Sequence, residues 1–184
     1  MAQYFFLASS LPALQFGNAM PITLADFHDR CASAMPQDEF ELLKRTELLP
    51  GDISGFCSND LTVKFWIWET ILRNALLPLR ANGRDYSQFL REEKDAFAEI
   101  QALVSSVNSA PNPMEAEKFL DSARWECIDR ILGPDSFSFN ALCAYKLQLL
   151  LLEKYNARTP ERGEQHLDAI LQQLQRESTQ NENQ

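Results

Sequence analysis

The stretch Asp60–Arg80 constrains this chain most, because it reads as one long helix with no purely polar side. Leu61, Phe65, Trp66, Ile67, Trp68, Ile71, Leu72, Ala75 and Leu76 cover more than one helical face. A helix apolar on most sides must be buried or sandwiched between partners. Trp66 and Trp68 fall about 200° apart around such a helix. At most one can face the core directly; the other meets a second element or stands as an exposed anchor. Ser58, Asn59 and Asp60 offer cap candidates. Pro78 is expected to kink or end the helix, and Asn82-Gly83 reads as a turn.

Further helices are expected on both sides. Thr23 can cap one over Leu24–Ala34, with Phe27 and Cys31 one turn apart. Pro36 suits the first position of another, near Pro36–Leu48. A fourth is expected over Asp85–Val107, where Phe89, Phe97, Ile100, Leu103, Val104 and Val107 follow the helical period and Arg91–Lys94 form a solvated face. Two more are expected at Met114–Leu132 and Phe139–Asn156. An amphipathic seventh runs from Thr159-Pro160 to about Arg176, with Leu167, Ile170, Leu171 and Leu174 on one side. Residues 1–22 read as extended or irregular, and the strand-like run Tyr4–Leu7 should tuck onto the core. With only 6 glycines the chain has few tight hairpin turns, which weighs against an all-β fold. The expected fold class is all-α: an irregular bundle of about six or seven helices with an extended N-terminal segment. Residues 1–176 are expected to form one helical domain, with Ser105–Pro113 as its best internal linker and the place where it would subdivide, followed by a disordered tail at 177–184.

Charge and composition exclude several classes of function. The formal net charge is -9 at pH 7, and no Lys/Arg cluster supplies the basic footprint that nucleic acid or an anionic membrane would need. Cys31, Cys57, Cys127 and Cys143 show no metal-knuckle spacing and read as reduced thiols of a cytoplasmic protein. Tyr4–Ala8 is too short and lacks the basic start of a signal peptide. The apolar run Phe137–Leu152 falls short of the ~20 residues a spanning helix needs.

Chemistry is hard to assemble from this sequence. The two histidines, His28 and His166, have no HxxxH partner, and there is no GxSxG elbow, GxGxxG or GxxxxGK[ST]. No metal or cofactor is expected. Glu69 with Arg73 and Glu126 with Arg130 are spaced for intrahelical ion pairs, worth a few tenths of a kcal/mol each. Arg124, Trp125 and Glu126 stand consecutively, and Arg over an indole face can form a cation–π contact.

Several phrases nevertheless form a recognisable order. The opening YFFLASSLPALQFGNAMPITLADFHDRC is followed by WETILRNALLPLRA, by NPMEAEKFLDSARWECIDRILG and by FNALCAYKLQLLLLEKY. This set resembles an uncharacterised bacterial family encoded beside V-type ATP synthase subunits. That family is distantly similar to the helical C-type component of the V/A-type ATPases, the d-type component in eukaryotes, which couples the central shaft to the membrane ring. The resemblance implies an all-helical, non-catalytic component or accessory that acts by protein–protein contact with other V-type ATP synthase subunits. Its place would be the cytoplasm, peripheral to the inner membrane through the complex, without direct insertion and without nucleic acid. The C-type components are much larger, so the chain could not form their whole funnel. Within the matching phrases, Trp66, Trp68, Arg73, Asn74, Arg124, Trp125 and Glu126 are the candidate packing or partner-binding residues. Two rivals stand beside this reading. One is an unrelated helical scaffold or adaptor. The other is an enzyme with Glu69, Arg73, Arg124, Glu126 and Asp129 converging in an interhelical cleft.

Overall fold

The computed structural model describes residues 4–58, 60–91 and 97–158. Among these, seven α-helices and one short 3-10 turn form, with no strand. In chain order they are α1 Phe5–Ser10, α2 Leu24–Ala34, α3 Gln37–Arg45, α4 Leu61–Ala81, α5 Ala98–Asn108, α6 Pro113–Leu132 and α7 Phe139–Asn156; the 3-10 turn, Ser87–Phe89, lies between α4 and α5. The all-α expectation holds. The predicted seventh helix at 159–176, the tail beyond it, and Glu92–Lys94 lie outside the described residues.

Local capping explains where α2, α6 and α7 begin. At α2 the Thr23 hydroxyl accepts from the Asp26 N–H at 3.1 Å, and the Asp26 carboxylate accepts from the Thr23 N–H at 3.3 Å. This reciprocal box satisfies two otherwise orphaned donors. At α6, Asn112 Oδ1 accepts from the Glu115 N–H at 2.9 Å, with Pro113 in the first turn. α4 is capped differently from expectation. The Asp60 carboxylate turns back to the Cys57 N–H at 2.7 Å, and Asn140 of α7 accepts from the Leu61 N–H at 3.0 Å. Pro78 does not end α4, which runs one further turn until Asn82 adopts the left-handed φ of 47°.

α4 is the spine of the fold, packing on α5, α6 and α7. α6 also packs on α5 and α7, while α2 and α3 cover the other side of α7. One core cluster includes Phe27, Phe65, Trp68, Leu72, Ile100, Leu120, Ile128, Leu142 and Leu147. This arrangement is why both Trp66 and Trp68 are buried. The 46–60 connection covers one flank of α4, and α5 with α6 covers the opposite flank.

Two expected segments take another form. The Tyr4–Leu7 run is not extended, because Phe5–Ser10 is a helical turn. Its spacing of three puts Tyr4 and Leu7 together on the core and turns Phe5 and Phe6 outward, Phe6 to 88% exposure. The single helix expected over Asp85–Val107 does not form either. Arg91 is tied back to α4 by Asn74, whose side-chain amide donates to the Arg91 carbonyl at 2.7 Å and accepts from its N–H at 3.2 Å. Those backbone groups are therefore unavailable to a helical ladder, and α5 starts only at Ala98. The expected 105–113 linker narrows to residues 109–112.

On α2, His28 lies beside the Phe27 ring at 5.9 Å and edge-on to Phe40 at 6.1 Å. Burial, and then the nearby Lys146 ammonium, hold its pKa below the ordinary 6.5. The unfolded chain thus takes up this proton before the folded chain does. His28 contributes its full stability above about pH 6.5 and loses it as pH falls below that value. We expect the urea midpoint of the wild-type chain to fall faster below pH 6.5 than that of His28→Gln. Parallel pH profiles would exclude His28 as the sensor.

Candidate functional site

The most strongly organised polar site joins α4, α6 and the end of α7. Its centre is Arg124 on α6, nearly buried against two carboxylates that are 0% exposed, Glu69 on α4 and Asp121 one turn back on α6. The guanidinium grips Glu69 with two donors, Nε to Oε2 at 2.9 Å and Nη2 to Oε1 at 3.0 Å. A third donor, Nη1, reaches Asp121 Oδ1 at 2.9 Å. Burial alone would lower the Arg124 pKa, but the two carboxylates outweigh it and raise the value. Arg73 adds a donor to Glu69 Oε1 at 2.7 Å.

The network continues into the last turn of α7 and the residues just after it. Lys154 donates to Asp121 Oδ1 at 2.9 Å and to Glu117 Oε2 at 3.2 Å. Arg158 donates to Asp121 Oδ2 at 2.6 Å and to Glu117 Oε2 at 3.0 Å. Both oxygens of Glu69 and both of Asp121 are engaged by cations. A general base needs a lone pair aimed at a substrate proton, and this geometry aims those of Glu69 and Asp121 at neighbouring helices. What the site does is tie three helices together.

The predicted residues divide sharply. Glu69, Arg73 and Arg124 come together as the enzyme reading required, but Glu126 and Asp129 do not join them. Glu126 is exposed and accepts from Ser122 at 3.3 Å, while Asp129 accepts from Gln148 at 2.7 Å. The expected Glu69–Arg73 pair forms. The expected Glu126–Arg130 pair is replaced by a bridge from Arg130 to Glu99 of α5 at 2.6 Å, because packing brings α5 against that face. Arg124 is occupied by carboxylates and makes no cation–π contact with Trp125, whose ring sits 5.6 Å from Phe16. Phe16 in turn lies 5.4 Å from Tyr155. Asn74 has the tethering role already described.

Sequence reasoning missed Asp121, Lys154 and Arg158. The three-residue spacing of Asp121 and Arg124 could have pointed to the first. It also missed Lys146, a fully buried lysine of α7 whose ammonium donates to the Lys44 carbonyl at 2.8 Å and to Glu47 at 2.9 Å. Among the described residues no three His, Cys, Asp or Glu side chains converge as metal ligands would, and no helix is long and apolar enough to cross a membrane. Cys31, Cys127 and Cys143 are buried free thiols and Cys57 is exposed.

No curated protein and no solved structure matches the chain. A family model described as "Protein of unknown function (DUF2764)" matches residues 74–178. The match covers more than half of the chain, from the second half of α4 through the whole of α5, α6 and α7, so the chain belongs to the DUF2764 family.

Proposed function

We propose that this chain is a non-catalytic component or accessory of a bacterial V-type ATP synthase and works by protein–protein contact. The observation that carries the non-catalytic part is the ionic network. Its buried carboxylates are engaged by Arg124 of α6 and Lys154 of α7, which ties α4, α6 and α7 together, stiffens a body and leaves its exterior to act. The assembly is inferred from the ordered phrases, which resemble those of a family encoded beside ATP synthase subunits. The exterior is suited to contact: Phe6 stands clear of the surface, Phe5 packs edge-on to it at 5.6 Å, and Phe137 backs Phe5 at 4.8 Å. Exposed aromatics of this kind are favoured anchors in interfaces. On this reading the chain lies in the cytoplasm and reaches the inner membrane only through the complex. If it sits on the rotor, torque passes through packed side chains. Its overall acidity suits basic partner surfaces.

The test is affinity purification of the tagged full chain from its native host, with mass spectrometry of what accompanies it. Rotary ATPase subunits should co-purify, and Phe6→Ser should reduce their yield severalfold while leaving the helical circular dichroism unchanged. Recovery of a different, reproducible set of proteins would replace this reading with that of an unrelated adaptor.

A further inference from the structure

The chain leaves α4 through Asn82 and Gly83, both at positive φ (47° and 83°), and doubles back along the helix. The Asn74–Arg91 clamp fixes how far, since it meets α4 about two turns before its end. Between α4 and the returning segment lies a hollow of about 470 Å³. Leu77 and Ala81 form its helical wall, Tyr86 and Phe89 form the other, and Arg80 and Arg84 complete the lining. The returning wall is held in shape. Asp85 Oδ1 accepts from the Ser87 N–H at 3.0 Å, and the Phe89 N–H donates to the Tyr86 carbonyl at 2.9 Å. Helical periodicity is overridden in this segment, and departures of the fold from local sequence logic concentrate at functional sites. Ligand sites have this character: a few hundred cubic ångströms, mostly apolar, with few polar groups.

The charged groups are what select an occupant. Among the described residues the Arg84 guanidinium has no ion pair. Arg80 has only Glu117 at 3.8 Å, and Glu117 is already held by Lys154 and Arg158. A guanidinium presents a planar fork of N–H donors that matches a carboxylate. The carboxylate in the lining is Asp85, and it is turned onto the Ser87 N–H. Two guanidiniums against one carboxylate leave a surplus of positive charge around an apolar hollow, in a chain whose net charge is -9. The open carbonyls at the end of α4 take up part of that surplus. The site therefore suits one negative charge better than the near-double charge of a phosphate monoester.

We propose that the hollow between the end of α4 and residues 84–89 binds a small carboxylate with a flat apolar body. The carboxylate head meets the guanidiniums of Arg80 and Arg84. The body lies between Leu77 and Ala81 on one side and the Tyr86 and Phe89 rings on the other, covering part of a phenylalanine that is 62% exposed when the hollow is empty. The site belongs to the isolated chain and stands apart from the ATP synthase reading, so its test needs no partner protein.

The naphthoate anion is a suitable probe, and naphthamide is its neutral counterpart of nearly the same shape. Titrated into the isotope-labelled full chain, naphthoate should bind saturably with one-to-one stoichiometry and move the amide NMR signals of residues 77–89 together. Naphthamide should bind about tenfold more weakly, the worth of a hydrogen bond to a charged group. Arg84→Gln should weaken naphthoate by a similar factor and leave naphthamide unchanged, while Arg84→Lys, which keeps the charge and loses the fork, should fall between Gln and wild type. Phe89→Ser should weaken both probes severalfold. Arg84 and Phe89 are exposed, so these variants should keep native circular dichroism. Phe6→Ser should leave binding unchanged. The assignment is overturned if naphthoate shows no saturable binding, or if naphthamide binds as tightly as naphthoate. It is also overturned if Arg84→Gln lowers the urea midpoint without weakening naphthoate, which would leave the arginine only the carbonyl end of α4 to serve, or if Phe6→Ser abolishes binding and so places the probe on the exposed aromatic patch.

Discussion

Replacing Arg124 by Met is expected to remove about 3–5 kcal/mol of folding stability, the usual result of stripping one partner from a buried ion pair. The side chain of Arg124 is 6% exposed, and it is the cation that neutralises Glu69 from within the core. Met fills much of the same volume but offers nothing to either carboxylate. Glu69 keeps Arg73, whose side chain is 37% exposed and so works in a wetter setting. Asp121 keeps Lys154 and Arg158. Domains of this kind have only about 5–15 kcal/mol in total, so the urea midpoint should drop sharply with the slope little changed. The double variant Glu69→Leu with Arg124→Leu should recover most of the loss, because apolar side chains often replace a buried pair at little net cost. At the rim, Arg80→Ala should change stability by less than about 1 kcal/mol, since Arg80 is half exposed and meets Glu117 only at 3.8 Å, while Glu117 keeps Lys154 and Arg158. A loss under about 1 kcal/mol for Arg124→Met would mean that water reaches the centre of the network.

The helices whose ends are marked by local chemistry were legible in the sequence. Thr23, Pro113 and Gly133 each act within a turn of their own position, so α2 and α6 lie within a residue of where they were expected. Phe139–Asn156 matches its expected bounds for the same reason, with Ser138 capping it. The segment Asp85–Arg91 was not legible. Its helical periodicity is real, but Asn74, seventeen residues before Arg91, takes the backbone groups a helix would need. The same limit applies to charge. Glu69–Arg73 was visible because it is a contact within one helix. Glu99–Arg130 and the reach of Lys154 and Arg158 to Asp121 depend on which helices pack together, and no spacing rule carries that. The two tryptophans show the intermediate case. Their opposite directions on α4 were readable, and what lay opposite each was not.

Those opposite surroundings give the second large effect. Trp66→Ala is expected to cost about 3–5 kcal/mol, as for other large aromatic deletions in cores. The indole is buried against the 46–60 connection, edge-on to Phe56 at 5.6 Å. A Cβ added at Gly51 would meet the same ring at 3.3 Å, so nothing bulkier than glycine sits easily beside it. Its Nε1 also donates to the Glu47 carbonyl at 2.7 Å, the first residue beyond the Thr46 cap of α3. Trp66→Phe therefore loses part of the ring and orphans that carbonyl. Trp68→Phe loses similar area, yet the donor it removes makes no close hydrogen bond and has only the nearby Glu99 carboxylate beside it, which offsets part of the loss. Trp66→Phe should thus be the more damaging of the two by about 1 kcal/mol in urea unfolding. Limited proteolysis should show the added damage as faster cutting near residues 50–58, while Trp68→Phe leaves that rate unchanged. The opposite order of stabilities would mean that the Glu47 hydrogen bond does not hold this connection against α4, and that Trp68 is satisfied in solution.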